Sequence, residues 1–219
     1  MVRAKGFFHE YAKDFDSIYS TGKGWIQGLI NRFFRKSMRL RFEKTIGGCN
    51  PIEGRSVLDI GCGPGHYCVT LARLGAARVL GIDFAEGMLE RAREHARGAG
   101  CLERCEFKVA DFTSQSFEGA FDYVILMGFM DYMAEPRPVI EKALSLTRSR
   151  AFFSFPVAGG LLAWQRKLRY RNRCELYLYS EEQVRELFRP SKEFSVTVEK
   201  IARDYFVAAA RQGIRGSAH

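Results

Sequence analysis

Between Ser56 and Gly65 the chain reads Ser-Val-Leu-Asp-Ile-Gly-Cys-Gly-Pro-Gly, an apolar run that breaks into glycines at three alternate positions. Glycine is needed where a backbone bends sharply and where a ligand must approach with no Cβ in the way. A helical pattern follows at Tyr67–Leu74, and the start of a helix offers unpaired N–H groups and a positive dipole end. A buried strand, a glycine bend and a helix together predict an open α/β sheet that binds a nucleotide-like ligand at the carboxyl end of its first strand.

The chain downstream keeps to that plan. Apolar runs at Ser56–Ile60, Arg78–Ile82, Cys105–Ala110, Phe121–Met127 and Ala151–Phe155 alternate with amphipathic stretches, including Met88–Arg97 and Val139–Leu146. Strands alternating with helices predict a parallel sheet with right-handed crossovers. Ser180 and Gln183 have capping-box spacing before a short helix, and Phe194–Ile201 and Tyr205–Ala210 predict a terminal antiparallel pair. Upstream, residues 7–46 read as helices, interrupted at Ser20–Gly24. The 219 residues are expected to form a single domain. It comprises a helical cap over 1–54 and a core over 55–212, with a cap insert at about 156–179.

Acids at the strand ends narrow the ligand. Asp83 closes the second apolar run, 22 residues after Gly61, where a carboxylate can take both hydroxyls of a ribose. Asp111 closes the third and is followed by Phe112, a pair suited to the exocyclic amine and the face of an adenine; Phe84 and Met88 are placed to line the same slot. One such acid alone is ordinarily a turn or cap residue. Three, counting Asp59, at the ends of successive strands beside a glycine bend are a binding site.

These motifs resemble the class I S-adenosylmethionine-dependent methyltransferases, from roughly Ser56 to Phe155 and more loosely to residue 210. The resemblance implies a Rossmann-like, mostly parallel seven-stranded sheet with helices on both faces. It implies S-adenosylmethionine as cofactor, with Asp59, Gly61, Cys62, Gly63 and Gly65 around its methionine part. Asp83 would lie on the ribose, Asp111 at the adenine, and Leu126-Met127-Gly128 against the amino-acid end. The rival is a dinucleotide-binding enzyme. A G-x-G-x-x-G fingerprint starting at Gly61 would need glycine where His66 stands, and Asp59 would repel a pyrophosphate but not a sulfonium or an ammonium.

Methyl transfer from a sulfonium is an in-line displacement from an activated donor, so alignment and exclusion of water do most of the work, worth up to about 7–11 kcal/mol. A general base is an addition. The candidates are Asp131 and Tyr132, which follow the fourth strand, and His66 in the glycine loop; each also reads as an ordinary loop or helix-start residue. Tyr11 and Tyr19 on the helical cap, with Trp164 and Tyr170 in the insert, are candidate substrate contacts that equally suit plain packing. Strand four lacks the Asn/Asp-Pro-Pro-Tyr/Phe segment with which many enzymes grip a base or amide nitrogen. No Asp-Asn pair follows strand five, so no metal is expected.

The chain carries a formal charge of +9. One cluster comprises Arg32, Arg35, Lys36, Arg39, Arg41 and Lys44, and another Arg166, Lys167, Arg169, Arg171 and Arg173. These are either solvated helix faces or the footprint of an acidic partner. The expected acceptor is a small apolar or acidic metabolite, a lipid or glycan intermediate among the options, methylated on oxygen or nitrogen. RNA methylation and non-catalytic cofactor binding are the alternatives, and a peripheral contact with anionic membrane is compatible with the insert. Six scattered cysteines without metal or thioredoxin spacing, no signal peptide and no apolar run of membrane-spanning length predict a cytoplasmic chain with free thiols.

Overall fold

Val57, Leu58 and Ile60 have no exposed surface, as a continuous run of branched apolar residues requires of a strand covered on both faces. This strand, β1 (Ser56–Ile60), pairs in parallel with β2 (Arg78–Asp83) on one side and β4 (Phe121–Leu126) on the other. Beyond them lie β3 (Cys105–Val109) and β5 (Thr147–Pro156), also parallel. A closing hairpin, β6 (Phe194–Ile201) and β7 (Asp204–Arg211), adds antiparallel to β5. The computed structural model describes residues 25–159 and 175–213, and in it the sheet runs β3-β2-β1-β4-β5-β7-β6.

The seven-stranded, mostly parallel sheet matches the expected class, and the strand bounds agree closely except in β5. That strand begins at Thr147, four residues before the apolar run. Thr147 pairs with Phe121 and Arg150 with Ala210, so backbone pairing continues through a polar segment that counting apolar residues passes over.

Helices cover both faces. On one lie α2 (His66–Arg73) and α3 (Glu86–Gly98), whose Cys68, Leu71, Leu89 and Ala92 pack against Val57, Val79, Ile125 and Phe107. On the other lie α4 (Pro136–Ser145) and α5 (Glu181–Phe188), packing Ile140, Leu144, Val184 and Phe188 against Leu58, Val124, Phe153 and Phe155. The capping box at α5 is formed in full by Ser180 and Gln183. The helix preceding β1, α1 (Trp25–Gly48), rests on α2, β5 and β6. Cys49, Cys62, Cys68, Cys101 and Cys105 are free and buried. Among the described residues no helix is long and apolar enough to cross a membrane, and no group of His, Cys, Asp and Glu is placed to hold a metal. Tyr11, Tyr19, Trp164, Tyr170 and the second basic cluster lie outside the described residues.

Candidate functional site

The chain leaves β1 without leaving β2. Gly61 and Cys62 both donate their N–H to Ile82 O, at 2.8 and 3.0 Å, and Gly65 N–H closes the bend on Cys62 O at 3.0 Å. Gly61, Gly63 and Gly65 have φ of +69°, +52° and +76°, a region that penalises a side chain. Their surroundings differ. A Cβ on Gly61 would stand 2.9 Å from Phe129 Cδ2, and one on Gly65 would stand 2.9 Å from Ala92 Cβ, where α2 meets α3. At Gly63 nothing lies within 4 Å. The middle glycine faces open space, and the outer two fix the bend against its surroundings. His95 of α3 braces the loop from behind, its Nδ1 2.9 Å from Pro64 O.

Asp59 lies beneath this loop, 2% exposed. Burial pushes its carboxyl from an ordinary 3.8 up to about 7; the Cys68 thiol, donating at 3.3 Å, pulls against that rise, and Asp83 adds to it. An acid that holds its proton more tightly folded than unfolded works against the fold once ionised. Its effect is neutral below about pH 4 and turns unfavourable as the pH climbs towards 7. Asp59→Asn is therefore expected to be more stable than wild type at about pH 8, with a flatter stability profile between about pH 4 and 7 in urea titrations. Equal profiles for the two proteins would contradict a burial cost at this position.

Asp83, at the end of β2, ties the loop to its own strand. Its Oδ2 accepts from Gly63 N–H at 3.0 Å and its Oδ1 from Ala85 N–H at 2.9 Å. Burial raises its pKa, and these backbone donors counter the rise. Asp111, beyond β3, folds into a turn with Oδ1 accepting from Thr113 N–H and Oγ1, at 3.1 and 2.7 Å. Phe112 is buried in the core, edge-on to Phe129 with centroids 6.4 Å apart. Lys142 of α4 pins this segment by donating to the carbonyls of Phe112, Thr113 and Gln115. Phe84 is half-buried, and Met88 is buried in the first turns of α3.

At the end of β4, half-buried Met127 leads into Gly128, whose φ is +73° and whose N–H donates to Ser154 Oγ at 2.8 Å. The same Ser154 oxygen accepts from Arg41 Nη1 at 3.2 Å. Arg41 comes from α1, and its Nε lies 3.7 Å from Asp204 Oδ2 at the start of β7, an oxygen that also accepts from Ser37 Oγ. The Arg41 side chain is 12% exposed. Its Nε is sealed off without a hydrogen-bond acceptor on the Asp204 side, and among the described residues it is Nη1 that lies toward Gly128. A Cβ on Gly128 would lie 3.6 Å from its Nη1.

Neither reading of the basic cluster on α1, a solvated face or the footprint of an acidic partner, singled out this residue. The signal was present, because Ser37, Arg41 and Thr45 recur every four residues on one side of the helix, and Ser37 and Thr45 are buried. Asp131 and Tyr132 occupy a single 3-10 turn after β4, Asp131 buried and its carbonyl accepting from Tyr177 N–H at 2.9 Å. Tyr179 donates to Met130 O and Met133 O behind them. His66 is exposed at the head of α2, stacked on His95 at 5.5 Å.

The sheet order, the glycine bend and the acid at each of the first three strand ends define the fold of the class I methyltransferases. A family model described as a methyltransferase domain matches residues 52–196, and the chain belongs to that family. It is 35% identical over 113 residues to a ubiquinone biosynthesis O-methyltransferase of Neisseria meningitidis, a match covering 50% of this chain and 47% of that protein. The chain thus spans about half the length of that relative. Among solved structures, magnesium protoporphyrin IX methyltransferase from Synechocystis PCC 6803 with bound SAH superposes with a TM-score of 0.74 at 22% identity, over 95% of this chain and 98% of that one. A DhpI–SAH complex gives 0.65 at 16%, over 97% of each chain.

Proposed function

We propose that this protein transfers a methyl group from S-adenosylmethionine to an oxygen of a small molecule with an apolar body and an acidic group. The observation that carries the reading is the coincidence of a methyltransferase-domain match with acids at three successive strand ends around an open-faced Gly63. Relatives named as O-methyltransferases support oxygen as the acceptor.

The residues fit that cofactor. In this reading Asp59, Gly61, Cys62, Gly63 and Gly65 surround the methionine part, with Gly63 offering the bare backbone. Asp83 takes the ribose hydroxyls with lone pairs not used by Gly63 and Ala85. Asp111 faces the adenine, with Phe84 and Met88 beside it; Phe112 contributes backbone, since its ring is committed to the core. Met127 and Gly128 meet the amino-acid end, and the Arg41 guanidinium, whose Nη1 reaches toward Gly128, takes its carboxylate. When bound, the cofactor supplies an activated methyl group. The chain's part is to hold donor and acceptor in line and to exclude water. Asp131 and Tyr132 lie past β4, on the side assigned to the acceptor, and His66 is left out because it is exposed and stacked on His95.

Labelled methyl cofactor incubated with extracts separated into lipid, glycan, RNA and small-molecule pools tests the assignment. Label is expected in a lipid or small-molecule product carrying a methyl ether or ester. Label confined to RNA would replace this acceptor class with nucleic acid. As a check on the pocket, Asp83→Ala is expected to weaken cofactor binding by about 1–3 kcal/mol through loss of a hydrogen bond to a charged group. Calorimetry showing undiminished affinity would remove the ribose from Asp83.

A further inference from the structure

From Ala151 to Pro156 every residue of β5 is buried, and within that run of Ala-Phe-Phe-Ser-Phe-Pro stands one hydroxyl, Ser154, with no exposed surface. A buried hydroxyl is costly unless its hydrogen bonds are made. Ser154 Oγ accepts from Gly128 N–H, at the end of β4, at 2.8 Å and from Arg41 Nη1, on α1, at 3.2 Å. One oxygen with two lone pairs thus joins three elements. In the β5–β7 pair Ser154 lies opposite Phe206 and Pro156 opposite Asp204, so Ser154 and Asp204 stand on the same face of the sheet. Arg41 meets the two in different ways. Its Nε lies 3.7 Å from Asp204 Oδ2, an attraction between charges without a hydrogen bond, whereas Nη1 makes a directed bond to Ser154. A charge attraction depends on distance, and a hydrogen bond fixes the angle as well. Among the described residues, Ser154 therefore sets the direction of the guanidinium. That direction bears on the site because Gly128 borders the glycine loop: the ring of the next residue, Phe129, would stand 2.9 Å from a Cβ on Gly61. Open α/β sheets take their ligands outside the carboxyl ends of neighbouring strands, here β1 and β4.

We propose that Ser154 is a positioning residue for the amino-acid end of the cofactor, its oxygen holding Gly128 and the Arg41 guanidinium together so that the ligand's carboxylate meets a cation already aimed. The inference rests on the cofactor assignment made above. Ser154 touches no ligand in this role; it acts through Arg41. An arginine side chain has several rotatable bonds, and ordering it at the moment of binding costs affinity. A buried partner that orders it beforehand removes that cost. The adenosine contacts assigned to Asp83 and Asp111 come from β2 and β3 and do not pass through Ser154. A ligand that keeps the adenosine and lacks the carboxylate is therefore insensitive to this serine.

The test is calorimetric affinity for S-adenosylhomocysteine and for 5'-methylthioadenosine, which lacks the carboxylate, measured on wild type, Ser154→Ala and Ser154→Cys. Alanine removes the acceptor. Cysteine fills the space and accepts only weakly, so the comparison survives if alanine unfolds the strand. Both variants are expected to bind S-adenosylhomocysteine about fivefold more weakly and to keep 5'-methylthioadenosine within about twofold of wild type. Because the effect runs through Arg41, adding Ser154→Ala to Arg41→Met and Asp204→Asn is expected to weaken S-adenosylhomocysteine by less than about twofold further. Equal loss for both ligands, or no loss for S-adenosylhomocysteine, would make Ser154 a packing residue and overturn the proposal while leaving the cofactor assignment intact. An undiminished loss in the background without Arg41 would also overturn it, by showing that the serine acts independently of the arginine. Failure of the wild type to bind either ligand would remove the cofactor assignment and this inference together.

Discussion

Replacing Gly65 with alanine is expected to remove about 2–5 kcal/mol of folding stability, a large part of the roughly 5–15 kcal/mol that holds a domain folded. Two separate penalties combine. Gly65 sits at φ +76° as the residue capping α2, and a side chain there costs about 1–2 kcal/mol in backbone strain. The added methyl would also stand 2.9 Å from Ala92 Cβ, 3.3 Å from Phe107 Cε1 and 3.4 Å from Ala92 Cα. Two of those three atoms lie on α3 at its contact with α2, so helices must separate, at about 1–3 kcal/mol. Gly63→Ala is the control, since its φ is +52° but no atom lies within 4 Å. It should lose only the strain, about 1–2 kcal/mol. Urea denaturation of both variants would check the difference, and equal losses would mean that helix packing contributes nothing at position 65.

The second large effect is expected at Arg41. Its side chain is 12% exposed and that of Asp204 is 4% exposed, so the pair is held out of water. Arg41→Met takes the guanidinium away from the buried Asp204 carboxylate, and removing one member of a buried pair costs about 3–5 kcal/mol. Because the penalty comes from a buried charge deprived of the guanidinium, Arg41→Met combined with Asp204→Asn should be more stable than Arg41→Met alone. A double variant no better than the single one would show that packing of the long side chain, not charge, sets the loss. Ligand binding separates the proposed carboxylate contact from stability. The double variant should bind S-adenosylhomocysteine at least tenfold more weakly, following loss of about 1.5–3 kcal/mol for a charged hydrogen bond. It should retain its affinity for 5'-methylthioadenosine, which lacks the carboxylate.

These two positions also mark how far a sequence reaches. Gly65 belongs to a local pattern: strand, bend and helix are contiguous, their periodicities change at the right places, and the bend must take left-handed backbone. All seven strands and the capping box at Ser180 were legible for the same reason. Arg41 was legible only as charge. Its spacing to Ser37 and Thr45 pointed inward, but its partners are Ser154 and Asp204, 113 and 163 residues away, and no local signal announces a contact of that span. Phe129 was hidden differently. It reads as one more apolar residue after β4, and only the close approach of its ring to Gly61 sets it apart. Tyr11, Tyr19, Trp164 and Tyr170 belong to segments outside the described residues and remain expectations for the acceptor side.

The tie between Ser37 and Asp204 bears on how the protein is made. It joins two segments separated by 167 positions, and the Lys44–Glu199 ion pair at 2.8 Å joins the same two regions. On a ribosome the parallel strands emerge in an order that lets each pair with one already present, except that α1 waits for the closing hairpin before its polar side is satisfied. Arg41 therefore reaches its final orientation only when residues 194–211 are out and paired. In the proposed reading α1 therefore cannot grip the anionic end of a ligand before that hairpin is in place, and deleting residues 194–211 is expected to unseat α1.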